Sequence, residues 1–307
     1  MRARRWTQAL AALIANPWFI YFKTRIIYQG KGKGLCFPGL NCYVCPLALS
    51  SCPVGSLQHS FATLHSRTRG AVAGRGLAEA VKRQASYQAG ALLYVVGFIG
   101  LVGILVGRLF CGWACPFGLL QDLLYKIPTP KFSVPRWMRF GKYFALIVVA
   151  MLIPYITGVH WYSRLCPAGT LEGAIPLKVL PPGAPLPAVG WLFLLKIAIL
   201  VGFLAWMVAA KRPFCRTACA LGGAYALLAP LSLYRMDVDS ATCTKCGRCR
   251  KVCPVDMNVY ENPNSPECVR CLSCKKECPE NAVSSGFGLL VKQKPGQEHG
   301  EEPCARG

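Results

Sequence analysis

Charged residues are scarce in this chain of 307 residues, and acidic side chains are the scarcest of them. Only 16% of the residues are charged, and 13 aspartates and glutamates stand against 35 lysines and arginines. Hydrophobic residues make up 53%, which is rich for a soluble protein of this size. The composition therefore argues against an ordinary soluble protein and directs attention to long apolar runs.

Several motifs that identify common protein classes are missing. The chain has no nucleotide-binding glycine fingerprint, no flavin motif, no C-x-x-C-H haem site and no hydrolytic triad. No nucleic-acid motif accompanies the formal charge of +22, so we expect no nucleic-acid partner. Anionic lipid headgroups and acidic redox partners are the expected counterparts of such a basic surface.

Cysteine, by contrast, is abundant, with 18 residues. The stretch from Cys243 to Pro279 contains CTKCGRCRKVCP and then CVRCLSCKKECP. Each is a C-x2-C-x2-C-x3-C-P run of the kind that binds a [4Fe-4S] cluster, and the fourth cysteine of each run ligates the other cluster. The spacing predicts two ligand sets: cluster I with Cys243, Cys246, Cys249 and Cys278, and cluster II with Cys268, Cys271, Cys274 and Cys253.

Zinc is the alternative occupant, because C-x2-C pairs also build tetrahedral zinc sites. Two complete runs in tandem, each closed by Cys-Pro, favour clusters over zinc. Thiolate ligands on this scale also imply assembly in a reducing cytoplasm rather than a disulfide framework.

Four apolar runs precede this module. We predict membrane spans near 8–27, 87–106, 140–159 and 189–210, because each approaches the roughly 20 residues that cross a bilayer. The first follows three arginines like a signal peptide but has no cleavage site, which indicates an uncleaved anchor. The expected fold is an α-helical integral membrane domain of about four transmembrane helices (1–230), a bacterial-type two-cluster α+β ferredoxin domain (231–290), and a disordered tail (291–307) in which Cys304 has no expected role.

The basic residues predict the orientation of these spans. The N-terminus, the second loop and the C-terminal region together hold 23 of the 35 lysines and arginines, and the opposite side holds 11. Both termini and the ferredoxin domain are therefore expected on the cytoplasmic side of the inner membrane. The nine basic residues of the first loop oppose this orientation, but long loops follow the rule poorly.

The membrane half contains a repeated element. It reads CPVGSLQ from Cys52, CPFGLLQ from Cys115, CPAGTLE from Cys166 and CALGGAY from Cys219. Proline suits the first turn of a helix, where its missing N–H is no loss. The element is therefore either a helix-starting turn alone, or a turn that also presents a cysteine ligand.

The second and fourth copies have another cysteine four residues earlier. These four form the paired-motif set, which would lie on the cytoplasmic face as a possible cluster III: Cys111, Cys115, Cys215 and Cys219. The first and third copies would lie on the opposite face with a C-x2-C pair, and they form the loop set, a possible cluster IV: Cys42, Cys45, Cys52 and Cys166. Cys36 is spare in this scheme or replaces one of the four. Disulfides are the alternative if the loop set faces an oxidising compartment.

The combination of spans, paired C-x3-C motifs and a C-terminal two-cluster ferredoxin resembles the membrane-bound polyferredoxins. These are typified by the quinol dehydrogenase subunit that serves periplasmic nitrate reductase, and the resemblance covers most of the chain from Arg108 onward. Nitrous-oxide-reductase regulatory membrane proteins and a copper-reducing accessory protein of oxidase assembly have similar motifs. This sequence departs from the family at Cys219-Ala220, where the family has Cys-Pro, and in its long first loop, which is similar to a subgroup found in anaerobes.

The resemblance implies an oxidoreductase subunit that relays electrons between the quinone pool and a redox partner protein through up to four [4Fe-4S] clusters. One alternative is a metal-ion or thiol reductase in which the loop set and Cys36 are reactive thiols. Another is a cluster-bearing regulatory or maturation subunit. His59, Asp122 and Glu172 follow three copies of the repeat and are candidate proton acceptors, although ordinary polar surface roles are the simpler interpretation. No catalytic residue is identified.

Overall fold

The computed structural model describes residues 2–24, 26–73, 78–179 and 190–288, and most of them are helical. The N-terminal part contains α1 (Arg2–Ala15), α2 (Tyr21–Thr24), α3 (Pro53–Ala73), α4 (Ala78–Val106), α5 (Leu109–Trp113) and α6 (Pro116–Leu124). The middle part contains α7 (Gly141–Phe144), α8 (Ile153–Thr157), α9 (Trp161–Leu165), α10 (Pro167–Gly169) and α11 (Ile175–Val179). The C-terminal part contains α12 (Trp191–Ala209), α13 (Pro213–Thr217), α14 (Ala220–Leu228), α15 (Arg248–Val252) and α16 (Ser273–Glu277). The predicted tail and Cys304 lie outside the described residues.

Three helical segments are long and apolar enough to cross a membrane. They are Ala89–Val106 within α4, Trp137–Thr157, which includes α7 and α8, and Trp191–Ala209, which is α12. Most of their side chains point away from the protein, as expected for helices that contact lipid. The three segments closely match the predicted spans 87–106, 140–159 and 189–210.

The second of these segments contains a wide π-helical turn between α7 and α8. The turn covers Ala145–Leu152 and ends two residues before Pro154. Proline has no N–H to donate and its ring collides with the carbonyl four residues earlier, so a regular helix cannot continue unchanged through it. The wider turn accommodates this proline within an otherwise continuous helical segment.

The predicted first span, 8–27, is not a continuous helix. Helix α1 ends at Ala15, and only the four-residue α2 follows before the chain becomes irregular. The break occurs at Asn16-Pro17, because the residue before a proline disfavours the helical conformation. The Asn16 side chain then donates hydrogen bonds to the Ala12 carbonyl at 3.0 Å and to Asn41 at 2.8 Å, so the helix end is held against the cysteine-bearing loop.

The C-terminal module has a small sheet and two short helices. Strands β1 (Tyr234–Val238) and β2 (Val283–Phe287) pair antiparallel, with Tyr234 opposite Phe287 and Val238 opposite Val283. Helices α15 and α16 pack against each other within this module. The sheet therefore brings the two ends of the module together and closes the two cysteine runs between them.

The module is joined to the membrane half by buried polar contacts. The Glu267 carboxylate forms ion pairs with Arg108 and Lys142, both of which are fully buried. The Leu233 amide donates to the Ile104 carbonyl at 2.7 Å, and the Lys211 ammonium donates to the Lys251 carbonyl at 3.0 Å. Each of the three candidate spans therefore has one end next to the ferredoxin module: the end of the first, the start of the second and the end of the third.

Candidate iron-sulfur centres

Two cavities in the ferredoxin module are lined by the predicted ligand sets. The first is lined by the four cysteines of the predicted cluster I: Cys243, Cys246, Cys249 and Cys278. The second is lined by those of the predicted cluster II: Cys253, Cys268, Cys271 and Cys274. Each cavity thus receives three cysteines from one run and the last cysteine of the other.

The thiols surround cavities rather than a single point. Within the described residues, no three His, Cys, Asp or Glu side chains converge as they would around one bound metal ion. A multi-atom iron-sulfur cube needs space between its thiolates, whereas a zinc ion holds sulfur at about 2.3 Å. The arrangement is therefore of the kind that a cluster, rather than a lone ion, would occupy.

The backbone of the two runs repeats the same unusual conformations. Positive φ angles occur at Lys245 and Gly247 in the first run, and at Arg270 and Leu272 at the equivalent positions of the second. Such angles are uncommon for residues other than glycine and cost free energy. Their exact repetition at matching positions indicates two equivalent loops shaped to aim cysteines inward.

The four thiols of the paired-motif set also lie together. Cys111, Cys115, Cys215 and Cys219 are each at most 7% exposed. Burial raises the pKa of Cys219 well above its usual range, and the nearby thiols of Cys215, Cys111 and Cys115 raise it further through charge repulsion. Thiols this buried and this close are stable as thiolates only with a positive partner such as bound iron.

Two buried arginines tie the paired motifs to each other. Arg108 donates to the Cys215 carbonyl at 3.2 Å, and Arg212 donates to the Cys111 carbonyl at 2.9 Å. Each arginine precedes the first cysteine of its own motif by three residues and binds the first cysteine of the other motif. The two motifs are thus joined reciprocally, as two halves of one site.

The surroundings of this set carry surplus positive charge. Four buried or nearly buried cations lie beside it and share two carboxylates: Arg4 and Arg212 pair with Asp122, and Arg108 and Lys142 pair with Glu267. Unpaired buried charge is costly. A cluster with four thiolate ligands is anionic and would balance the surplus, so the residues present fit such a group.

Asp122 is part of this network and is not an exposed proton acceptor. Burial alone would raise its pKa, but the charges of Arg212 and Arg4 outweigh burial and hold the pKa below its usual range. Glu172 accepts a hydrogen bond from the Cys42 amide at 2.8 Å, and His59 is exposed and stacks on His160 with ring centres 5.8 Å apart. The structure therefore separates these three candidates into three different environments.

A helix begins immediately after the cysteine in all four copies of the repeat. Helices α3, α6, α10 and α14 start at Pro53, Pro116, Pro167 and Ala220. The first amides of a helix have no partner within it, and the helix dipole favours negative charge there. The Gly222 amide donates to the sulfur of Cys219 at 3.2 Å. Burial raises the pKa of Cys52 to about 11, and hydrogen bonds from the amides of Gly55 and Val54 offset part of this increase. Each helix start thus positions a cysteine and supplies amide donors to its sulfur.

The loop set is only partly assembled around a cavity. Three of its members, Cys42, Cys52 and Cys166, line one cavity together, whereas Cys45 does not. Burial raises the pKa of Cys42 and of Cys166 to about 12. Cys36 is not among the residues that line this cavity, although it pairs through the backbone with Ser51, the neighbour of Cys52.

The two sets do not lie at opposite faces of a bilayer, contrary to the expectation from the sequence. Tyr162 lines the cavity of the loop set, and its hydroxyl donates to the Ala218 carbonyl and accepts from the Ala220 amide on either side of Cys219. The hydrocarbon core of a bilayer is about 30 Å thick, whereas a single tyrosine side chain is long enough to reach from one set to the other. The cause is the turn after Gly158, which folds α9 back onto the π-helical turn.

The paired-motif set also contacts the ferredoxin module. The indole N–H of Trp113 donates to the Arg270 carbonyl at 3.1 Å. A Cβ atom on Gly112 would lie 2.4 Å from the Val269 carbonyl oxygen and 3.4 Å from the Cα of Cys271. Gly112 therefore allows the two cysteine sites to approach through backbone contact.

Replacing Gly112 with alanine should force this contact apart, because the atoms in the way belong to the backbone and cannot rotate aside. We expect a loss of stability of about 1–3 kcal/mol, typical of overpacking, and slower electron exchange between the module and the membrane half. Thermal unfolding and cluster reduction kinetics would measure the two effects. Gly202→Ala is the matched control, because its added methyl group meets no atom within 4 Å.

Sequence reasoning missed the residues that surround the paired-motif set. Arg108 and Arg212 had a detectable signal, because both motifs read R-x-F-C-x2-A-C. Gln121, which is fully buried and donates to the sulfur of Cys215 at 3.0 Å, had no such signal. Tyr162 and Tyr225 had none either, since only the tertiary structure brings them between the two sets.

Comparisons with known proteins agree with these sites. Two families described as 4Fe-4S binding domains match: Fer4_5 at residues 88–135 and 190–234, and Fer4 at residues 236–257. The Fer4_5 match thus falls in two parts, each of which includes one paired motif. No solved structure matches the chain.

Several relatives are ferredoxin-type proteins. The chain is 30% identical to the ferredoxin-type protein NapH of Haemophilus influenzae, over 52% of each chain. It is 26% identical to the methylamine utilization ferredoxin-type protein MauN of Methylorubrum extorquens, over 53% of this chain and 52% of the relative. It is also 26% identical to protein MJ0750 of Methanocaldococcus jannaschii, over 64% of this chain and 80% of the relative. The match thus spans about half the length of NapH and MauN. The chain thus contains 4Fe-4S binding domains and three helices long and apolar enough to cross a membrane, and it is similar to ferredoxin-type proteins.

Proposed function

We propose that this protein relays electrons between membrane quinone and a redox partner protein. The observation that carries the proposal is that the four cysteine sets adjoin one another in a row, from the ferredoxin module into the membrane half. Clusters I and II would be held by the two ferredoxin sets, cluster III by the paired-motif set and cluster IV by the loop set. Bound clusters supply one-electron chemistry, and the protein sets their spacing, burial and hydrogen bonds.

Direct contacts join neighbouring sites along this row. The ferredoxin cavities share the two crossed runs, Gly112 meets the backbone at Cys271, and Tyr162 connects the loop set to the residues around Cys219. Electron tunnelling weakens steeply with distance, so a relay requires closely spaced stations. The contacts between neighbouring sets support such close spacing.

The ferredoxin end of the row is suited to a redox partner. Cys246 is exposed, and so are Lys245, Arg248 and Arg250 around it. Basic surface charge attracts an acidic partner and speeds encounter. We therefore propose docking of an acidic redox protein at the predicted cluster I.

The reductase alternative is disfavoured by burial of the loop set. Of its members, Cys45 and Cys166 are less than 9% exposed, and Cys36 is also buried. Reactive thiols need a stabilised thiolate that the substrate can reach. Here burial raises the pKa of the thiols instead, which suits ligands more than nucleophiles.

We also propose four membrane crossings, the first of them interrupted. Arg4 of α1 pairs with Asp122, which in turn binds Arg212 beside the ferredoxin side of α12. The start of α1 thus shares a side with the ferredoxin module, and α4 must enter from the other side. Fourteen residues of α1 span about 21 Å, too short for a hydrocarbon core, so α1 and α3 would complete the crossing together.

The irregular segment between these helices is compatible with membrane depth. Non-helical backbone is tolerated there only where protein surrounds it. Leu40, Asn41, Ala48 and Ser51 in this segment are all buried. The proposed orientation places both termini and the ferredoxin module in the cytoplasm, with the chain in the inner membrane.

Adding a quinol to anoxically purified protein in detergent tests the proposed function. We expect the visible absorbance of the clusters to bleach, and a ferredoxin-type acceptor to accelerate the reoxidation. Cys304→Ser should behave as wild type. If dithionite reduces the clusters and quinol does not, quinone is ruled out as the electron donor.

A further inference from the structure

A tyrosine hydroxyl is buried between the two cysteine sets without a hydrogen-bond partner. Tyr225 of α14 is 0% exposed, and its hydroxyl contacts no hydrogen-bonding atom in the part of the chain that the structure describes. Buried polar groups in native proteins are nearly always paired, and an unpaired one requires a specific explanation.

Tyr225 shares one buried core with cysteines of the proposed sites, among them Cys36, Cys111 and Cys219. Burial raises the pKa of Tyr225, and the charges of Cys111, Cys52, Cys36 and Cys219 raise it further. Two of these thiols belong to the paired-motif set and one to the loop set. The hydroxyl therefore lies in the part of the core where these two sets meet.

The same helix already directs one donor at this set. The Gly222 amide donates to the sulfur of Cys219, and Tyr225 lies about one turn further along the same helix. Gln121 donates to the sulfur of Cys215 from α6. Two neutral donors, the Gly222 amide and the Gln121 side chain, thus already bind sulfur atoms of the paired-motif set. The Tyr225 hydroxyl is a third neutral donor, and it has no acceptor among the described residues.

We propose that the Tyr225 hydroxyl donates a hydrogen bond to a sulfur of the cluster that the paired-motif set would hold, and thereby raises its reduction potential. The inference rests on the proposed function, since it requires that cluster. Reduction adds one electron and makes the sulfur more negative, so a neutral donor stabilises the reduced state more than the oxidised one. The hydroxyl keeps its proton throughout, and no bond is made or broken.

Tyr155 of α8 provides a matched control away from the cysteine sets. Its side chain is 45% exposed, and it is not among the residues that line the cavities of the ferredoxin sets or of the loop set. Replacing it with phenylalanine makes the same chemical change without altering the surroundings of a proposed ligand.

Redox titration of the full-length protein in detergent, followed by electron paramagnetic resonance, tests the inference with Tyr225→Phe and Tyr155→Phe. In Tyr225→Phe, we expect one cluster to become at least tenfold harder to reduce, which is 59 mV for a one-electron couple, with iron content and the other potentials unchanged. In Tyr155→Phe, we expect the iron content and all potentials of the wild type.

Two outcomes would overturn the inference in different ways. An unchanged potential in Tyr225→Phe, with full iron content, would show that the hydroxyl does not act on the cluster while leaving the proposed relay intact. A wild-type protein with only the ferredoxin clusters would remove both the relay and the inference. Loss of iron in Tyr225→Phe would mean that the hydroxyl retains the cluster rather than tunes it, which also contradicts the proposal.

Discussion

Replacing Cys219 with serine is expected to lower the iron content of anoxically purified protein from about sixteen to about twelve atoms per chain. Cys219 has structural roles besides its proposed ligation, because it precedes α14, accepts a hydrogen bond from the Gly222 amide and lies near Tyr162. Without it, only three thiols remain in a buried site where a [4Fe-4S] cluster needs four ligands. Acid-labile sulfide should fall in parallel with iron.

The same substitution should abolish reduction of the ferredoxin clusters by quinol, because the paired-motif set lies between them and the loop set. Stopped-flow absorbance would show this as loss of the fast phase, while chemical reduction of the ferredoxin clusters continues. Cys304→Ser is the control for loss of a thiol. Full iron content, or an unchanged rate of reduction by quinol, would contradict the assignment of this set as a relay.

The wild-type iron content is itself decisive for the number of clusters. A value near twelve would mean that the loop set remains as thiols, and the reductase alternative would gain. A value near eight would mean that the membrane half only anchors the ferredoxin module. A value near sixteen supports all four sites.

Replacing Glu267 with glutamine should detach the ferredoxin module from the membrane half. The Glu267 carboxylate is 7% exposed and is the acidic partner shared by Arg108 and Lys142, both 0% exposed. Removing one partner of a buried ion pair leaves uncompensated charge and typically costs about 3–5 kcal/mol. Here two cations would lose their partner, so we expect the upper part of that range.

Limited proteolysis would reveal the detachment as faster cleavage between the module and the membrane half, and thermal unfolding would give the loss of stability. Glu261→Gln is the matched control, since Glu261 is exposed and accepts a hydrogen bond from Asn258 three residues away. Cluster signals of the module should persist in Glu267→Gln, because the ligands are untouched. An unchanged cleavage pattern would show that other contacts suffice, among them the one between Leu233 and Ile104.

Much of the fold follows from local patterns in the sequence. The three uninterrupted apolar runs near 87–106, 140–159 and 189–210 are spans by length and composition alone. Proline after cysteine is enough to predict where α3, α6 and α10 begin. The spacing within the two ferredoxin runs also predicts which cysteines share a cavity.

Other features depend on contacts between residues far apart in the chain. The run 8–27 is apolar enough for a span, but Asn16-Pro17 ends α1, and Asn16 then binds Asn41. Whether the helix resumes depends on the loop that packs against its end. Apolar composition records only a preference for burial and does not say whether lipid or protein supplies it.

The sequence by itself determined the number of cysteines, the spacing of the predicted ferredoxin ligands and three candidate membrane-spanning helices, because each depends on residues close together in the chain. Only the tertiary structure decided that the loop set and the paired-motif set adjoin, that Arg108 and Arg212 bind each other's motif, and that Tyr225 lies between the sets. These contacts arise where α9 and α14 fold back into the helical bundle. Packing between distant residues and the balance of buried charge determine these contacts, and neither can be read from the spacing of residues along the chain.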